Sequence, residues 1–185
     1  MNAFTFFFAI FAAVLPTAIA SYAIVGEKME KSLEPLLATP TTDREILLGK
    51  SIAAILPPLA SIYVGATIFM ALSDYITAGA LGYLYFPNWS AAGILLILVP
   101  CVEVFSVELN VIISSRVSDV RTASQLGTLV VLPLAAVYVG SELGLVDLSS
   151  TNVLLISALF LVLDLALFSL SSRTFQREEI LTRWK

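Results

Sequence analysis

Histidine is absent from this 185-residue sequence, cysteine occurs once, and charged residues make up only 13% of it. The lack of histidine removes the commonest metal ligand and the usual general base. A single cysteine, Cys101, cannot build an internal disulfide framework. Apolar residues make up 58% of the chain, which is more than a soluble domain of this length can bury. The composition therefore predicts an all-α, polytopic membrane protein.

Five apolar stretches are long enough to cross a bilayer, which takes about 20 residues of helix. We number them spans one to five and expect one transmembrane helical bundle over residues 1–185. Each of the first four spans contains a proline, which predicts a kink used in movement or a bend that fits neighbouring helices together. The spans are approximately 3–25, 51–73, 91–115, 123–140 and 152–172, with outer loops at Asp74–Ser90 and Ser141–Thr151 and a tight turn at Arg116–Thr122.

The basic residues are distributed unevenly. All ten lie in three segments that are alternate connections between spans, while the other two loops contain acids and no base. Lysine and arginine concentrate on the cytoplasmic side of a membrane. We therefore expect an N-terminus outside, five crossings and a cytosolic C-terminus in the plasma membrane of a prokaryote. The basic residues are Lys28, Lys31, Arg44 and Lys50, then Arg116 and Arg121, and finally Arg173, Arg177, Arg183 and Lys185.

The charged segment Gly26–Lys50 has the pattern of a short amphipathic helix, a turn and a second helix. Pro35 predicts a break. Thr42 stands three residues before Glu45, the spacing of a capping box, so a new helix should start at Asp43. The apolar stripe of the first helix consists of Met29, Leu33, Leu36 and Leu37, at i, i+4, i+7 and i+8.

This segment has two other interpretations. An amphipathic helix lying flat on lipid headgroups would have the same apolar stripe and flanking lysines. A nucleotide site is suggested by Gly49-Lys50-Ser51, but Arg44 stands where a phosphate-binding loop needs its first glycine. We therefore expect no nucleotide site in this chain.

Spans three and five contain acidic residues that are expensive to place in lipid. Glu103, Ser106, Asn110 and Ser114 form one polar line along span three, and Asp164 lies near the middle of span five. Each acid facing lipid would cost about 2.5–3.5 kcal/mol, so they should face the bundle. Glu103 and Asp164 either line a substrate path or relay protons, or they hydrogen-bond between helices. For Glu108, which is off the polar line, we expect the structural role.

The segment 26–50 also resembles a known family, the type-2, exporter-class membrane subunits of ATP-binding-cassette (ABC) transporters. Their cytosolic loop reads roughly G-E-K-E-x-G-T-L-E-x-L-L-x-T-P, followed by E-I-L-x-G-K. The sequence departs from this pattern at 30–32, where the family usually has a glycine and then a threonine. The matching residues are Gly26, Glu27, Lys28, Leu33, Glu34, Leu36, Leu37, Thr39, Pro40, Glu45, Ile46, Leu47, Gly49 and Lys50.

The resemblance implies a function for the chain as the permease subunit of an ATP-driven exporter. Two permease chains, identical or different, would pair, and each would dock a cytosolic coupling helix into a separate ATPase subunit that binds ATP and magnesium. The permease itself would have no catalytic residue and no cofactor of its own. The implied coupling residues are Glu27, Lys28, Leu33, Glu34, Leu36, Leu37, Pro40, Gly49 and Lys50, with the leucines as anchors and Glu27 and Glu34 as polar orienting contacts.

Members of this family typically have six spans, and the five here align with their second to sixth. We therefore expect one of three explanations: the gene product is truncated, its start position is misplaced, or another chain supplies the first span. The main rival is an ion- or proton-coupled secondary carrier that uses Glu103 and Asp164. A third possibility is a membrane scaffold without transport activity. The sequence does not specify a substrate.

Overall fold

The computed structural model describes residues 2–29, 42–117 and 119–174, and within these every long element is a helix. Helix α1 is Asn2–Met29 and helix α2 is Asp43–Leu81. Helices α3 and α4 are each built from three consecutive segments, and helix α5 is Ser150–Thr174. The segments of α3 are Trp89–Gly93, the π-helical turn Ile94–Leu98 and Val99–Arg116; those of α4 are Val120–Gly127, the 3₁₀ turn Thr128–Val130 and Val131–Glu142.

All five helices are long and apolar enough to cross a membrane, which confirms the predicted helical bundle of five spans. The stretches that meet this criterion are Asn2–Tyr22, Leu48–Leu81, Trp89–Ser114, Val120–Glu142 and Ser150–Ser169.

Helix α2 is longer than the sequence predicted. The outer loop was expected to begin at Asp74, but the helix continues to Leu81 and ends where Gly82 adopts a left-handed conformation with φ 74°. Glycine adopts this conformation without the steric cost that a side chain would add. Asp74 does not end the helix because its carboxylate accepts hydrogen bonds from the backbone N–H groups of Tyr85 and Phe86, at 2.9 and 3.0 Å.

Two of the spans change their winding just before a proline. The π-helical turn of α3 contains Leu96, four residues before Pro100, and the 3₁₀ turn of α4 contains Leu129, four residues before Pro133. A proline ring clashes with the carbonyl four residues earlier and has no N–H to donate to it, so local rewinding at these positions has a direct cause. Helices α1 and α2 continue through their prolines as α-helix.

Helix α3 is the central element and packs against the four other helices. Its contact with α1 is close because α1 presents small, fully buried residues there, including Ala9, Ala12 and Ala13. Small residues let two helix backbones approach, which is how membrane helices associate when water supplies no driving force. The outer faces of α2 and α5 retain large apolar side chains uncovered by protein, as expected for surfaces in contact with lipid.

Interactions between helices identify which ends lie together. At one end, Tyr85 and Asn88 donate to the side chain of Asn2, and Ser90 lies 3.3 Å from Ser150. The opposite end holds the end of α1, the start of α2 and the turn from α3 to α4. It carries the described basic residues Lys50, Arg116 and Arg121.

Candidate transport site

The predicted coupling segment is only partly described. Residues 30–41, which include Leu33, Glu34, Leu36, Leu37 and Pro40, lie outside the described residues. Glu27 and Lys28 belong to the last turn of α1, so this helix continues past Gly26. The side chains of these two residues are also outside the description. Gly49 and Lys50 lie near the start of α2, where Gly49 is exposed and Lys50 is half-buried.

The start of α2 confirms the predicted capping box. The Thr42 hydroxyl accepts a hydrogen bond from the backbone N–H of Glu45, and the Glu45 carboxylate accepts one from the backbone N–H of Thr42, at 3.3 and 2.7 Å. These backbone and side-chain hydrogen bonds from Thr42 lower the pKa of Glu45. Each side chain thus satisfies a backbone N–H that would otherwise be unpaired. These two hydrogen bonds fix the start of α2 at Asp43.

The polar line on α3 lies inside the bundle. Glu103, Ser106, Asn110 and Ser114 are all fully buried. The Ser106 hydroxyl donates to the carbonyl of Ala13 at 2.7 Å, and the Ser21 hydroxyl donates to the Asn110 side-chain carbonyl at 3.0 Å. Two of the four residues therefore join α3 to α1 through buried hydrogen bonds.

Asn110 is the point where three helices meet. Its amide group donates to the carbonyl of Ser106 at 2.8 Å, while its oxygen accepts from Ser21 of α1. Gly127 of α4 packs directly on the same carboxamide, so closely that a Cβ atom at Gly127 would overlap it. The carboxamide is thus held by hydrogen bonds on two sides and by a glycine backbone on the third.

Glu103 differs from its neighbours on the polar line. Its side chain is fully buried, and neither carboxyl oxygen has a hydrogen-bond partner among the described residues. It interacts electrostatically with the backbone of Leu59 and with Tyr63, both on α2, although the contact with Leu59 lacks hydrogen-bond geometry. Glu103 therefore faces α2 immediately after the Pro57-Pro58 pair.

Asp164 of α5 lies near Glu108 of α3. Both side chains are buried, and they lie within electrostatic range of each other. Glu108 accepts a hydrogen bond from Ser51 of α2 at 3.2 Å, which fits the structural role expected for it. The Oδ1 atom of Asp164 has no hydrogen-bond partner in the part of the chain that the structure describes.

Comparison with known proteins places this bundle in a family. The family described as ABC-2 family transporter protein matches residues 2–171, which is most of the chain. The chain belongs to the ABC-2 family of transporter proteins. No curated protein and no solved structure matches it. The resemblance inferred from the segment 26–50 is thereby confirmed.

As an ABC-2 transporter protein, the chain is a membrane component of an ABC transporter and a multi-pass membrane protein. Family membership also implies association with ABC ATPase subunits. Transport in such a protein must pass through or beside the helical bundle, so the buried polar residues of α3 and α5 are the candidates for contact with a substrate. In the part of the chain that the structure describes, the buried charged residues are all acidic.

Two contact residues, Ser21 and Ser51, were not identified from the sequence, where they are ordinary members of apolar spans. The available signal for Ser21 was its position four residues after Thr17, because two hydroxyl residues on one face of an apolar helix indicate a contact with another helix.

Proposed function

We propose that the chain is the membrane subunit of an ATP-driven exporter, in which a separate ATPase subunit binds ATP and magnesium and drives movement of the bundle. The observation that carries this proposal is the family match over residues 2–171, which includes the whole segment 26–50. In this proposal the segment is cytosolic and its leucines Leu33, Leu36 and Leu37 dock into a groove of the ATPase, a helix-in-groove contact. Glu27 and Glu34 orient it.

The cytosolic placement is supported by charge. The segment joins α1 to α2 at the end of the bundle that also carries Lys50, Arg116 and Arg121. Near the other end, residues 74–90 and 141–151 contain Asp74, Glu142 and Asp147 and no base. Under the positive-inside tendency, the basic end faces the cytoplasm of a prokaryotic cell.

The contacts of α1 and α2 give a route for the movement. Both helices flank the segment, so a force on it acts on the end of α1 and on the capped start of α2. Helix α1 is hydrogen-bonded to α3 through Ser21 and Asn110, and α2 is hydrogen-bonded to α3 through Ser51 and Glu108. A rigid-body shift of α1 and α2 would therefore act on the polar line of α3.

A complete exporter of this kind requires a second permease chain, because each ATPase of a closing pair needs its own coupling segment. We propose a dimer of permeases, identical or different, with one ATPase docked on each. Glu103, Ser106, Asn110 and Asp164 then contribute to the translocation path in each chain.

The test is a charge placed on the docking face. Leu36→Glu should abolish stimulation of the ATPase by the permease and stop transport, while the chain still inserts in the membrane, because a carboxylate cannot enter an apolar groove without a partner. Leu145→Glu is the control, since Leu145 is 79% exposed in the loop at the opposite end. The measurements are co-purification with an ABC ATPase subunit from the same organism, and ATP hydrolysis in proteoliposomes.

Unchanged ATPase coupling in Leu36→Glu would overturn the docking assignment. The same proteoliposomes test the second candidate, a secondary carrier. This candidate is favoured by the buried carboxyl of Glu103, which has no hydrogen-bond partner within the described ranges. A carrier would transport along a proton or ion gradient with no ATPase present, whereas the exporter requires ATP.

A further inference from the structure

Glu103 is not explained by interhelical hydrogen bonding. Ser106 and Asn110, on the same line of α3, both have buried hydrogen-bond partners, whereas neither carboxyl oxygen of the fully buried Glu103 has one among the residues that the structure describes. An ionised carboxylate in such a place is strongly unfavourable unless an opposite charge joins it. In the described part of the chain, no buried lysine or arginine supplies that charge.

The surroundings of Glu103 are suited to a positive charge. It faces α2 at Leu59, directly after Pro57 and Pro58. Because Pro58 has no N–H, it cannot donate to the carbonyl of Ala54, four residues earlier. Ala54 is fully buried, so the missing hydrogen bond leaves a buried backbone carbonyl of α2 without its usual helical donor. Backbone carbonyls freed at interrupted helices are known ligands of cations inside membrane proteins.

We propose that Glu103 is the binding point of a singly charged cation inside the bundle, and that the transported substrate is such a cation. One carboxylate neutralises one positive charge, and among the described residues no group of three acidic, cysteine or histidine side chains forms a site for a multivalent metal ion. A cation larger than a proton engages both carboxyl oxygens together with backbone carbonyls. This assignment of a substrate class rests on the proposed exporter function.

The experiment measures binding without any ATPase. The chain is purified into lipid nanodiscs at fixed pH and ionic strength, with N-methyl-D-glucamine as the background cation. Sodium, potassium and tetraphenylphosphonium are then titrated, and the midpoint of thermal unfolding is recorded. We expect one of these probes to raise the midpoint of the wild-type chain, because a ligand that binds the folded state stabilises it. Sodium or potassium would indicate an inorganic substrate, and tetraphenylphosphonium an organic one.

Glu103→Gln keeps the shape of the side chain and removes its charge, so it should weaken the apparent affinity for the active probe at least about tenfold. Glu108→Gln is the matched control, because it changes another buried glutamate of α3 that already accepts a hydrogen bond from Ser51. The affinity of this control variant for the probe should remain that of the wild type.

A second readout needs no variant. Dicyclohexylcarbodiimide modifies buried carboxyl groups, and the active probe should protect Glu103 of the wild-type chain from this modification.

The proposal is overturned if no probe changes the unfolding midpoint or the modification of Glu103, if pH alone controls that modification, or if Glu103→Gln responds like the wild type. The two proposals fail separately. Cation binding that depends on Glu103 in a chain whose Leu36→Glu variant shows unchanged coupling would preserve the site and refute the docking assignment. Loss of coupling in Leu36→Glu without any cation binding would do the reverse.

Discussion

The contact between Gly127 and Asn110 gives a sharp prediction about how α4 is held against α3. A Cβ atom at Gly127 would overlap the carboxamide of Asn110. That carboxamide cannot simply turn away, because it is fully buried and its two ends are hydrogen-bonded to Ser21 and Ser106. In Gly127→Ala, either α4 moves outward or Asn110 loses its bond to Ser21.

The expected loss of stability combines two effects. Overpacking of a buried contact typically costs about 1–3 kcal/mol. A hydrogen bond between membrane helices contributes about 0.6 kcal/mol on average. Because alanine is the better helix former by about 1 kcal/mol, Gly127→Ala should lower the free energy of unfolding by about 1–3 kcal/mol net.

The assay is reversible unfolding by sodium dodecyl sulfate in lipid–detergent micelles, followed by circular dichroism. Gly79→Ala is the control, because a Cβ atom there meets nothing within 4 Å inside α2, so its unfolding free energy should be unchanged or slightly higher. Asn110→Ala removes the group that the new methyl would strike. In that background Gly127→Ala should lose most of its cost, as a double-mutant cycle would measure. A full cost of Gly127→Ala in the Asn110→Ala background would refute the contact.

Two further predictions concern the boundaries of α2. The backbone N–H of Thr42 contributes most to the lowered pKa of Glu45, and the Thr42 hydroxyl lowers that pKa further. Thr42→Ala keeps the backbone N–H and removes the hydroxyl, so it should destabilise the first turn by about 1 kcal/mol and raise the pKa of Glu45 part of the way to its ordinary value; hydrogen exchange and carboxyl titration measure the two effects. Since a lowered pKa means that the ionised form is the one stabilised in the fold, the contribution of Glu45 is present above its unfolded pKa and lost as pH falls through its folded pKa. Asp74→Ala should expose residues 82–88 to faster hydrogen exchange, since two backbone N–H groups lose a charged acceptor worth about 1.5–3 kcal/mol.

The elements that the sequence predicted best are those set by local chemistry. The capping box at Thr42 and Glu45 requires only two side chains at a fixed spacing, and the structure contains both of its hydrogen bonds. The five spans follow from apolar length alone. The inward orientation of Glu103 and Asp164 follows from the cost of exposing an acid to lipid, and both are buried.

Features that depend on distant partners could not be predicted in this way. The continuation of α2 past Asp74 depends on the backbone N–H groups of Tyr85 and Phe86, which donate hydrogen bonds to the Asp74 carboxylate. Phe86, in the predicted outer loop Asp74–Ser90, is buried beside Phe69. The sequence of α4 does not indicate that Gly127 packs on Asn110. Each of these requires knowledge of which helices are neighbours.

The buried polar residues divide into two groups with different consequences for movement. Those that connect helices, such as Ser21 with Asn110 and Ser51 with Glu108, make single hydrogen bonds, and such bonds in membranes contribute about 0.6 kcal/mol each. Bonds of that strength hold a helix in register yet can be exchanged for others when a partner subunit drives α1 and α2. Among the described residues, Glu103 has no such bond to exchange. The energy of its carboxyl group therefore depends on its immediate environment, and a shift of α2 that moves Leu59 would change that environment directly. If Glu103 binds a cation as we propose, a mechanical shift of α2 at one end of the bundle would change the cation affinity of that site.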